Sequence, residues 1–189
     1  ASIRRRRLPA EQVVWLVIGL SLFRDLPIWR VVQQLGLDQG GDGDLAVPSA
    51  AVAARQRLGP SPLAWLFAHL AQHWSDAPQP AAAQLGGLRS LAVDGVVWDV
   101  PDTPVNRQAW GGPSSQHGPG GWPQVRAVCL MDTHTHLLRA ARIGGYRCAE
   151  LTLARELIEQ VPDESLTVFD RAYFAASFLL DWQAAGHQR

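Results

Sequence analysis

Two stretches decide the reading of this chain: LAVDGVVWDV, residues 91–100, and SLTVFDRAY, residues 165–173. Each is an apolar run rich in β-branched residues that carries an aspartate, Asp94 within the first and Asp170 toward the end of the second. A carboxylate in a strand that is to be buried is costly unless a cation, a proton or a partner compensates it. Laid side by side in one sheet, the two strands would bring both carboxylates to a divalent cation. The purely structural alternative has one Asp capping a turn and the other in a buried ion pair.

The neighbouring pattern supplies the rest of a sheet. QVRAVCLMD (124–132) and LLRAARIGG (137–145), joined by the turn THTH, read as an antiparallel hairpin. CAELTLARELIEQV (148–161) is an amphipathic helix, with Leu151, Ala154, Leu157, Ile158 and Val161 on one face. A last helix runs from about Phe174 to Gly186, and the Gly/Pro-rich residues 106–123 read as a long exposed loop. Three strands, a helix, a strand and a helix is the order of the ribonuclease-H-like fold. Its first and fourth strands are neighbours, so Asp94 and Asp170 should face one another.

The earlier part of the chain is helical. Pro9 and Glu11 open a helix to about Phe23, and Asp25 caps a second that carries Ile28, Val31, Val32 and Leu35 and stops at Gly36. LDQGGDGDLAV is a connector, Ser49 caps the short helix AAVAARQRLG, and SPLAWLFAHLAQHW follows Pro60. The expected fold class is α/β (α+β overall). An all-helical N-terminal domain (1–77) and a linker (78–87) precede an incomplete ribonuclease-H-like catalytic domain (88–189).

Composition narrows the function. At 47% hydrophobic and 18% charged the chain is globular rather than disordered. All basic residues are Arg; Lys is absent. Residues 1–90 carry nine Arg against six acids and residues 91–189 eight Arg against eleven acids, so the second half suits a cation better than a bare phosphate surface. The run VVWLVIGLSLF behind RRRR is too short to span a bilayer and is read as a core helix, which predicts no membrane association. Cys129 and Cys148 lack metal spacing and read as buried free thiols of a reducing cytoplasm.

Paired carboxylates suit Mg²⁺ or Mn²⁺, hard ions that take oxygen ligands and keep several waters. Gly95 leaves room for a ligand or phosphate to approach. Arg171 and Tyr173 are candidates to hold a phosphate and to stack on or hydrogen-bond a nucleotide. Glu150, opening the helix before the second Asp strand, is a further candidate metal ligand, against the plainer reading of a Glu facing a helix dipole. Arg55 and Arg57 fall on a short helix that either contacts DNA or lies on the surface of a packed bundle. His69 and His73 are four apart on a helix but lack a third ligand, and His134 and His136 belong to an exposed turn.

The chain resembles the insertion-element-four transposases of the DDE group. The resemblance rests on LPAEQVVWLVIGLSLFRDLPIWRVVQQL and AARQRLGPSPLAWLF in the helical part. In the catalytic part it rests on LAVDGVVWDVPDTPVNRQAWG, PQVRAVCLMDTHTHLLRAARIGGYRCAE and VFDRAYF. It implies cut-and-paste DNA transposition of a bacterial insertion sequence in the cytoplasm. Asp94 and Asp170 would be the first two acids of the metal-binding triad, the cofactor Mg²⁺ or Mn²⁺, and the partners the transposon ends and target DNA, with a homodimer or a full-length transposase as protein partner. The family's third acid is a Glu within a Tyr-x2-Arg-x3-Glu-x6-Lys signature. No Glu follows Glu164 here, and Asp181 comes too early to replace it. The expectation is a transposase chain truncated before its third acid and inactive by itself, or a remnant that binds element DNA or a full-length partner and blocks assembly.

Overall fold

The computed structural model describes residues 8–38, 48–75, 77, 80–116 and 118–184. The RRRR lead, most of the Gly/Asp connector, parts of the 78–87 linker and the last two residues of the helix expected to reach Gly186 lie outside them. Two compact units, Ala1–Phe67 and Ala68–Arg189, make up the chain.

In the first unit, α1 (Ala10–Leu22), α2 (Ile28–Gln34) and α3 (Pro48–Leu58) enclose Leu8, Val13, Leu16, Val31, Val32, Ala51 and Ala54. Gly19 lets α1 approach closely, since a β-carbon there would stand 2.7 Å from Leu35 Cδ1. The helix starts differ from the expected caps. Pro27, not Asp25, precedes α2 without a side-chain cap, and α3 begins at Pro48, one residue before Ser49. Proline at a helix start fixes φ and gives up an N–H that would have no intrahelical partner. Gly36 and Gly59, at φ +63° and +67°, follow the ends of α2 and α3 in the left-handed conformation that glycine adopts without strain. A fourth helix, α4 (Ser61–Ser75), crosses the boundary between the units and exposes His69 and His73.

The second unit is built on β2 (Leu88–Asp99). It pairs antiparallel with the two-residue β1 (Gln84–Leu85) and with β5 (Gln124–Asp132), which in turn pairs antiparallel with β6 (Leu138–Gly145). After α6 (Glu150–Arg155) the chain returns as β7 (Ser165–Phe169), parallel to β2, and ends in α7 (Ala176–Ala184). Parallel pairing needs a crossover of this kind. This is the predicted ribonuclease-H-like order.

Alternation along the strands sends Leu91 and Val93 of β2, with Val128 and Leu130 of β5, into a core shared with Leu153, Leu157, Tyr173, Phe178 and Trp182. Phe169 packs edge-on to Phe178 and Trp182, with ring centroids 5.4 and 4.9 Å away. Such contacts add to simple area burial. The amphipathic segment ends its α-helical turns earlier than expected, at Arg155, and finishes as a 3₁₀ turn over Ile158–Gln160.

The segment expected to be a loop is more ordered than its composition suggested. Thr103 Oγ1 accepts from Asn106 N at 3.1 Å and Pro104 occupies the first turn, which starts α5 (Pro104–Trp110). Beyond it the short β3 (Ser114–Ser115) and β4 (Gly118–Pro119) pair antiparallel. Arg107 ties the segment together, donating to Asp102 Oδ2 at 2.6 Å and to the Gly121 carbonyl at 3.1 Å.

Candidate active site

The register fixes the two aspartates. β2 and β7 pair in parallel from Arg89↔Ser165 to Val93↔Phe169, and Asp94 and Asp170 are the next residue on each strand. Asp94 stays within β2, paired to Cys129 of β5, whereas Asp170 is the first residue beyond β7; both are exposed.

Each carboxylate bonds locally through one oxygen. Asp94 Oδ1 accepts from Gly95 N and Asp170 Oδ1 from Ala172 N, both at 2.8 Å. The turn-capping role weighed for a strand-end Asp is therefore real at Asp170, where it starts the 3₁₀ turn Arg171–Tyr173. Capping engages one of two oxygens and is compatible with ligand binding by the other.

Glu150 joins this neighbourhood from α6. Gly95 does not leave an open space as expected: a β-carbon there would stand 2.8 Å from Glu150 Cδ, so the glutamate carboxyl occupies that volume. Arg126 of β5 holds it, with Nε 3.5 Å from Glu150 Oε1 and Nη1 donating to the Cys148 carbonyl at 2.6 Å.

Tyr173 closes the cluster from inside. It is 1% exposed, and its hydroxyl has no hydrogen-bond partner among the described residues. Burial first, and then the charges of Glu150, Asp94 and Asp170 against that of Arg126, push the phenol well above the ordinary tyrosine range. Cys129, across the ladder from Asp94, has its thiol pushed up by burial and by that same carboxylate. Both cysteines are free and half-buried.

Among the described residues no three His, Cys, Asp or Glu side chains gather closely enough to hold a metal ion. The chemistry of the donors still fits Mg²⁺ or Mn²⁺: hard carboxylate oxygens on neighbouring strands, both exposed. Mg²⁺ is commonly held by one or two carboxylates with substrate phosphates completing its shell.

Outside Asp170 lies a groove of about 270 Å³ lined by Phe169, Asp170, Arg171, Tyr173, Phe174 and Leu179. Arg171 is exposed there. The buried Tyr173 ring is not presented for stacking, whereas Phe174 next to it is 82% exposed. Reading DRAYF from sequence favoured the tyrosine, because nothing in the string tells which of two adjacent aromatics turns inward. The other acids are dispersed. Glu156 and Glu159 are exposed, Glu156 pairing with Arg142 at 3.4 Å, and Asp181 pairs with Arg155. Arg55 and Arg57 are exposed on α3, in the first unit. His134 and His136 are exposed in the hairpin turn.

Residues 1–68 match the family model of the insertion element 4 transposase N-terminal region, and residues 86–188 match that of the transposase DDE domain. The chain belongs to the insertion-element-four family of DDE transposases. It is 40% identical over 189 residues to the transposase InsG for insertion sequence element IS4 of Escherichia coli (strain K12), a match covering all of this chain and 42% of that protein. It is 34% identical over 192 residues to the putative transposase InsZ of the same organism, covering all of this chain and 62% of that protein. The chain thus spans less than two thirds of the length of either relative. No solved structure matches it. Among the described residues no helix is long and apolar enough to cross a membrane.

Proposed function

We propose that this chain is the helical unit and the first part of the catalytic domain of a transposase that cuts and rejoins DNA with a divalent metal. The observation that carries this reading is the β2–β7 register, whose last pair, Val93 with Phe169, directly precedes Asp94 on one strand and Asp170 at the end of the other.

In this reading Asp94 and Asp170 hold Mg²⁺ or Mn²⁺. The Glu of the family signature is not among these 189 residues. When bound there, the ion would supply positive charge that polarises the phosphodiester for in-line displacement. The chain's own residues place the DNA. Arg171 holds a backbone phosphate beside Asp170, and Phe174 offers its ring to a base. Arg55 and Arg57 contact DNA at the element end from the helical unit, acting through phosphates or base edges. Water adds to phosphorus as the bond to the 3′ oxygen breaks; the released 3′-hydroxyl later attacks a target phosphodiester and displaces another 3′ oxygen. The protein works on DNA in the cytoplasm, alone or as a homodimer.

A polypeptide of these 189 residues holds two of the three acids and is expected to cleave poorly. Incubating it with DNA bearing element ends and Mn²⁺ tests this: efficient nicking that Asp170→Ala abolishes would overturn the poor-cleavage expectation while supporting the site.

A second reading is favoured by the absence of a three-acid cluster among the described residues. Here the 189-residue chain binds element DNA or a full-length transposase and blocks assembly without cutting. Sequence-specific DNA binding that survives both chelation and Asp94→Ala would favour it; binding lost in either condition would count against it.

A further inference from the structure

Tyr173 holds a polar group where a polar group is expensive. Its ring is packed by Phe169 and Phe178, at centroid distances of 5.9 and 6.1 Å, and its hydroxyl is buried without a partner among the described residues. Phenylalanine would fill the same space without that penalty. The hydroxyl is also where the charges of Glu150, Asp94 and Asp170 act together. Glu150 is itself fixed in place, its carboxyl over Gly95 and its oxygen on Arg126.

We infer that Tyr173 is a positioning residue of the metal site: its buried hydroxyl donates to a carboxylate of Glu150, Asp94 or Asp170 once the two aspartates take a cation. This rests on the two-aspartate site proposed above. Tyr173 lines the same groove as Asp170, three residues before it, so its orphan donor is poised to be satisfied by a small carboxylate movement. Without the cation nothing draws the acids together, and the hydroxyl stays unpaired. Arg126 performs the complementary task, offsetting the negative charge that the cluster gathers. Tyr173 touches neither DNA nor cation; it acts through the carboxylates. Partners that orient ligands in this way commonly govern metal affinity by tenfold or more.

The test is a Mn²⁺ titration of the 189-residue chain, read by binding heat and by the shift in unfolding temperature, in wild type and in Tyr173→Phe, Glu150→Gln and Asp170→Asn. Wild type should bind Mn²⁺ and Asp170→Asn should not. Tyr173→Phe should unfold no earlier than wild type without metal, yet bind Mn²⁺ about tenfold more weakly. Its effect should shrink when combined with Glu150→Gln, because the two act through one contact. Unchanged Mn²⁺ affinity in Tyr173→Phe overturns the inference while leaving the two-aspartate site standing. A wild type that does not bind Mn²⁺, or an Asp170→Asn that still does, overturns the site itself and the inference with it.

Discussion

The carboxyl of Glu150 fills the place where a side chain on Gly95 would begin, 2.8 Å from the position of a β-carbon. A glycine in mid-strand weakens the strand unless something approaches it. Here a helix-borne acid does. Gly95→Ala should push Glu150 off its pairing with Arg126, lowering stability by about 1 kcal/mol. Adding Glu150→Ala should restore most of that loss, since the clash goes with the side chain. Thermal unfolding of the single and double variants decides it; a double variant no more stable than Gly95→Ala would count against the proposed clash.

The cap that Asp170 makes is separable from the metal-holding role proposed for it. Asp170→Ala removes the bond to Ala172 N and should cost about 1 kcal/mol, as the loss of a cap does. Asp170→Asn keeps an acceptor for that bond but loses the charge, so its unfolding temperature should stay close to wild type while Mn²⁺ stabilisation disappears. Comparable destabilisation in both variants would argue against a capping role.

Alkaline pH reports on Tyr173. Its folded-state value is raised, by burial and then by three carboxylates. The stability tied to this proton is therefore fully present below the ordinary tyrosine value of about 10 and falls as pH climbs beyond it. Urea midpoints measured from about pH 8 to about pH 11 should decline more steeply in wild type than in Tyr173→Phe. Parallel declines would mean that the hydroxyl ionises as freely in the fold as outside it.

Phe174 and Arg171 can be told apart by DNA binding. Phe174→Ala should leave stability unchanged, as the ring is exposed, and weaken binding of single-stranded or end-frayed DNA by about 1 kcal/mol. Arg171→Ala should weaken binding to all sequences alike and lower the salt slope by about 1. Filter binding at several salt concentrations measures both, and an unaltered slope in Arg171→Ala would exclude a phosphate contact.

Much of the catalytic unit was legible because strands announce themselves locally. The apolar runs around Asp94 and Asp170 and the hairpin at 124–145 carry their own period, and their order imposed the parallel pairing. The helical start at Pro104 was hidden by the glycines after it, although Thr103 followed by proline is a capping signal in plain view. The position of Glu150 over Gly95 depends on how a helix crosses the sheet, and the inward turn of Tyr173 beside the outward Phe174 depends on the 3₁₀ turn that Asp170 starts. Neither is written in spacing. The family signal reached further than the periodicity, yet it named the aspartates without saying what surrounds them.

The pairing of β7 with β2 also sets a time for the site. Asp94 and Asp170 meet only through a parallel, long-range contact, the slowest kind to form. A chain emerging from the ribosome carries Asp94 early, but no adjacent carboxylates exist until the strand 165–169 has been made and has docked. The pair of acids is therefore a late product of folding, and a chain whose sheet is still open has no such centre to offer to DNA.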